Sequence, residues 1–172
     1  MKEFFFNRFN LGFFEGEALW IGNLGHFFIV LSFIAVGLAS FSYLKAELSK
    51  NDTLAQNWRR LARWSFFTHG VSIVGIFSLL FFMILNHHYE YHYAWSHSSN
   101  DLPVYYIISS FWEGQEGSFL LWQFWHVVLG FVLIKIAKHY ENPVMAILTF
   151  SQLLLSSMVL GIHVFGYKIG VN

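Results

Sequence analysis

Nine histidines, together with a tight cluster of acids, glycines and tryptophans, carry most of the chemistry available to this 172-residue chain. The cluster reads FWEGQEGSFLLW over 111–122 and holds Trp112, Glu113, Gly114, Glu116, Gly117 and Trp122. Glu113 and Glu116 are spaced as a carboxylate pair on one helical face, but Gly114 between them weakens that helix and no substrate pocket is implied. Neutral imidazole ligates haem iron and is tolerated in an apolar setting. His26, His126 and His163 therefore stand out, because each lies a few residues inside one end of an uncharged apolar run. At about 1.5 Å per residue they fall in one layer, roughly 6–12 Å inside the same boundary. The sharper reading makes two of them ligands of a b-type haem, or a polar ring around a quinone headgroup. The plainer one makes them interhelical hydrogen-bonding groups, worth about 0.6 kcal/mol per contact.

The remaining histidines divide similarly. His87, His88, His92 and His97 are dense in sequence, yet a metal site needs three or four convergent ligands, and a tyrosine–histidine interfacial surface is the plainer alternative. His69 reads as a packed polar residue, and His139 as part of a loop. Cysteine is absent, which excludes disulfides, thiolate zinc sites and thiol chemistry by this chain itself. There is no phosphate-cradling glycine loop, nucleophile elbow or HExxH helix, and no catalytic residue is identified.

The elements that position these groups are membrane spans. The chain is 56% hydrophobic and 12% charged, with mean hydropathy +0.49. The stretches 18–44, 64–89, 117–134 and 142–167 contain no Asp, Glu, Lys or Arg. A helix of about 20 apolar residues crosses the hydrocarbon layer. The expected fold is thus an all-α membrane protein, one membrane domain over 1–172. Its spans are expected at about 20–44, 65–87, 117–138 and 144–167, with an outer interfacial helix or loop at 88–116. Lys45, Lys50, Arg59, Arg60 and Arg63 lie between the first two spans, Lys135 and Lys138 between the last two, and no Lys or Arg between the second and third. Basic residues are retained in the cytoplasm. The 45–63 linker should therefore be cytoplasmic, with both termini and the 88–116 loop outside a bacterial inner membrane.

Within the inner linker, Leu54, Trp58 and Leu61 recur at helical spacing opposite the arginines, which predicts a helix lying along the inner leaflet, or else a solvated basic connector. HYENP predicts a tight turn, with Pro143 in the first turn of the last helix. In the outer segment, Asp101 is suited to cap a helix carrying Pro103 in its first turn and Val104, Ile107, Ile108 and Phe111 as its apolar stripe. Gly114 and Gly117 would end it, with Ser118 capping the third span and Glu116 near its positive end. Net formal charge is zero, so nothing draws the chain to nucleic acid. The first apolar run lacks a basic lead-in and is too long for a cleaved signal peptide. No internal repeat or mid-membrane charge suggests a transporter.

The string SSNDLPVYYIISSFWEGQEGSFLLW, 98–122, resembles the CcmF family of cytochrome c-type biogenesis proteins. The likeness lies in Leu102-Pro103-Val104, the Tyr105–Tyr106 pair, Trp112, Glu116-Gly117-Ser118 and Leu120-Leu121-Trp122; IGNLGH near the first span agrees less specifically. The family pattern departs at Glu113, where it has Gly, and at Gln115, where it often has His. No tryptophan follows Trp125, so the family's haem-presenting tryptophan motif has no counterpart. The resemblance implies an N-terminal piece of a longer haem-handling protein, acting in a membrane haem lyase complex that attaches haem to apocytochrome c. It further implies a haem chaperone and other maturation proteins as partners, haem held mainly by other parts of the protein, and Trp112, Glu116 and Trp122 near the haem. The alternative is an electron-transfer subunit binding haem b or quinone through His26, His126 and His163.

Overall fold

The computed structural model describes residues 19–86 and 115–169, with Pro103, Tyr105, Tyr106, Ser109 and Phe111 between them; the side chains of residues 19, 115, 116 and 162–169 lie outside what it describes. Four helices follow in order: α1 (Leu19–Leu48), α2 (Asp52–Leu85), α3 (Gln115–Ile136) and α4 (Glu141–Ile169). The described residues contain no strand. All four helices are long and apolar enough to cross a bilayer, and the chain is an all-α, four-span membrane protein.

Lipid decides which side chains turn inward. Large apolar residues such as Ile34, Trp64, Trp122, Trp125 and Ile147 lie on the outer surface, while Ser32, Ala35, Ala39, Ser42 and Ala46 of α1 are buried. Hydrocarbon outside the bundle is as apolar as leucine, so association relies on small residues that let helices approach and on polar groups bonding across them. At Gly130 of α3 a Cβ would stand 2.3 Å from Phe66 Cζ of α2 and 3.0 Å from Leu148 Cδ2 of α4. Phe66 is itself fully buried and packs edge-on against Phe131, with ring centroids 5.4 Å apart. It has nowhere to retreat.

Both short connections lie at the same end of the bundle. After α1, Ser49 Oγ donates to the Lys45 carbonyl at 2.7 Å. Asn51 then caps α2, its Oδ1 accepting from the Thr53 and Leu54 amides, which satisfies two of the orphan donors of a helix start. The second connection turns over 137–140, and α4 begins at Glu141 with Pro143 in its first turn, as HYENP predicts. Arg63 of α2 grips Glu141 through two parallel bonds, Nε to Oε1 at 2.7 Å and Nη2 to Oε2. One turn earlier Arg59 Nε donates to Asn142 Oδ1 at 2.8 Å. These bonds tie the start of α2 to the start of α4 and bring the seven cations of the two connectors to one end.

Two expectations are corrected here. The 54–61 segment does not form a separate helix lying on the leaflet: it is the opening of α2, which runs unbroken for 34 residues. Trp58 packs edge-on against Phe41 of α1, at a centroid distance of 6.0 Å. That contact and the arginine bonds to α4 hold the segment in line with the rest of α2, whose length of about 50 Å exceeds the roughly 30 Å hydrocarbon layer. Likewise Ser118 does not cap α3, which begins at Gln115 and carries Gly117, buried, inside its first turn.

Arg63 is about half exposed whereas Glu141 is 2% exposed. Replacing Arg63 by Ala strands a carboxylate away from water, with an expected loss of about 3–5 kcal/mol. Glu141→Gln should cost less, because the freed guanidinium reaches solvent. Unfolding equilibria in detergent micelles check the order. The same measurement should find Gly130→Ala destabilising by about 1–3 kcal/mol through overpacking, and Gly25→Ala, where a Cβ meets nothing within 4 Å, close to neutral.

Candidate functional site

Halfway along the bundle every helix contributes a polar side chain to the interior. On α1 and α2, Ser32 and His69 are buried, and His69 Nδ1 lies 2.9 Å from Ser32 Oγ and 3.2 Å from the Ser32 carbonyl oxygen. A carbonyl oxygen only accepts, so a nitrogen within reach of it is a donor. On that ground we assign the ring proton to Nδ1, which leaves Nε2, buried and without a hydrogen-bond partner, as an acceptor. On α3 and α4, Gln152 Nε2 donates to the Gln123 carbonyl at 2.8 Å, and Ser156 Oγ donates to Gln123 Oε1 at 3.1 Å. Both glutamines are buried. In lipid these bonds replace those that water would supply, so they fix helix register as well as contributing energy.

Toward the end opposite the basic connectors the interior becomes aromatic. Phe111 is fully buried. Its ring stacks on Phe81 at 4.5 Å with an interplanar angle of 6°, and lies 4.5 Å from Phe77, which also meets Phe124 of α3 at 5.2 Å. Upstream, the Tyr106 amide donates to the Pro103 carbonyl at 2.9 Å, and the Tyr105 and Tyr106 rings lie 4.3 Å apart. The segment between the second and third spans is thus pinned into the bundle at Phe111, rather than only resting at the lipid surface. Phe111 was expected on an apolar stripe, and this is its surface.

The sequence-derived site residues meet different fates. Trp112, Glu113 and Gly114 lie outside the described residues, as do His87, His88, His92 and His97 and the side chains of Glu116 and His163. Trp122 is on the outer face of α3, 58% exposed. His26 lies on an exposed face of α1. His126 is part-buried on α3, and its Nδ1 is enclosed without a hydrogen-bond partner. Among the described residues no three His, Cys, Asp or Glu side chains gather as a metal site. Between the helices lies a small cavity of about 10 Å³, lined by Ile29, Ser32, Ile76, Leu120, Gln123, Ser156 and Val159. The Ser32–His69 and Gln123–Gln152–Ser156 groups were not foreseen as pairs. The signal for them was polar residues inside uncharged runs, which marks inward faces but not partners.

No protein-family model matches the chain, and no solved structure matches it. Over 127 residues, 73% of its length, the chain is 29% identical to the cytochrome c-type biogenesis protein CcmF of Haemophilus influenzae. It spans only 19% of that relative's length.

The ring assignment is directly observable. Histidine-labelled ¹⁵N spectra of the chain in bilayers should contain one neutral ring protonated at Nδ1 and bare at Nε2, absent from His69→Asn. A His69 ring protonated at Nε2 would refute the bond to the Ser32 carbonyl.

Proposed function

We propose that the chain acts in cytochrome c maturation, as a membrane scaffold within a haem lyase-type assembly that delivers haem and attaches it to apocytochrome c. The observation that carries this reading is the 127-residue similarity to CcmF, in a chain whose four helices are each fit to span a bilayer. The absence of cysteine agrees with it, since the thioether-forming cysteines of such a reaction belong to the apocytochrome.

In this reading the basic connectors face the cytoplasm of a bacterial inner membrane. The 88–116 segment and both termini face outward, where the apocytochrome is met. Trp112, Glu116, Trp122 and the tyrosines near Phe111 form part of a floor beneath the haem, or a docking face for a haem chaperone. In this reading haem is handled at the outer face, and no chemical step is assigned to the interior. This reading assigns no ligand role to His26, His126 or His163. Phe111 has a defined task, since its burial against Phe77 and Phe81 fixes where the outer segment leaves the bundle.

Deleting 98–110, which leaves Phe111 in place, should abolish holocytochrome c formation in cells while the four helices still insert. Normal maturation without the segment would overturn the proposed role. The purified chain alone should be colourless; a Soret band lost on replacing His126 or His163 would instead favour an electron-transfer subunit carrying haem b.

A further inference from the structure

We propose that the mid-bundle cavity is an internal water site, joining the Ser32–His69 pair to the Gln123–Gln152–Ser156 group in one hydrogen-bonded layer. The cavity is lined from all four helices, by Ile29 and Ser32 of α1, Ile76 of α2, Leu120 and Gln123 of α3, and Ser156 and Val159 of α4. At about 10 Å³ it is of the order of one water, which needs roughly 10–15 Å³ and two to four polar partners.

Three polar side chains on three helices supply those partners. Gln123 Oε1 is engaged by Ser156, while its Nε2 is buried and has no partner. Exchanging the amide's oxygen and nitrogen does not remove the difficulty, because one end would still face Ser156 and the other nothing. Ser32 accepts from His69 Nδ1–H, so its own hydroxyl proton remains to be donated. Ser156 donates to Gln123 and retains an acceptor lone pair. One water accepts from Ser32 and from Gln123 Nε2 and donates to Ser156, giving three bonds, the usual number for a buried water. Ile29, Ile76, Leu120 and Val159 supply the hydrocarbon part of the lining.

Ser32 and Ser156 share no direct hydrogen bond, so energetic coupling between them reports the bridge. In the full chain in nanodiscs, a cycle of Ser32→Ala, Ser156→Ala and the double variant should show coupling of at least about threefold in the unfolding equilibrium constant. Radiolytic hydroxyl-radical footprinting supplies an independent readout. Leu120, although buried, should be oxidised by radicals formed from the adjacent water, and that labelling should fall to background in Ser156→Val, whose extra methyl groups fill the cavity. Met145, buried near the basic end, should be unchanged. If Ser156→Val does not fold, Ser156→Ala serves for footprinting, with a reduced Leu120 signal expected. Additive single substitutions, or Leu120 labelling equal in the native and variant chains, would overturn the proposal.

Discussion

Hydrocarbon cannot hydrogen-bond, and the rest of the structure depends on that fact. Every polar group carried into the bilayer must be answered from within the protein, at a cost of several kcal/mol where it is not. The chain meets most of this requirement with helices, which satisfy their own backbones, and part of the rest by turning Ser32, His69, Gln123, Gln152 and Ser156 toward one another, although His69 Nε2, Gln123 Nε2 and Gln152 Oε1 keep no partner within the protein. The large apolar side chains then go outward without penalty. Hydrophobic burial, the main driving force in water, is nearly neutral for helix association here. Close approach at Gly130 and a few interior polar bonds therefore decide the packing.

The same reasoning explains what the sequence disclosed. Uncharged runs located all four spans, because charge is excluded from hydrocarbon and length is set by its thickness. Pro143 marked the start of α4, because its ring suits a first helical turn. Continuity of the basic segment with α2 was not legible: an amphipathic pattern over 54–61 describes an interfacial helix and an extension of a span equally well. What separates them is Trp58 against Phe41 and Arg63 on Glu141, contacts made with α1 and α4. Partners 78 residues apart leave no trace in local periodicity.

The candidate site was legible to the same degree. Residue type and spacing singled out the 111–122 cluster, of which Phe111 is buried in a stacked aromatic contact. Histidine spacing suggested a layer at His26, His126 and His163, but depth alone does not fix azimuth. His26 is exposed on α1, whereas His69, read as a packed polar residue, is fully buried and bonded to Ser32. A ligand argument needs the direction in which a nitrogen points, and only tertiary contacts supply it.

The bundle's chemistry changes character along its axis. At one end the Arg63–Glu141 pair and the Arg59–Asn142 bond lock two helix starts together. In the middle, neutral groups set register around a small cavity. At the opposite end the interior gives way to the Phe77–Phe81–Phe111 stack. Aromatic pairs prefer particular orientations, so along one axis the bundle is held first by charge, then by neutral hydrogen bonds, then by ring packing.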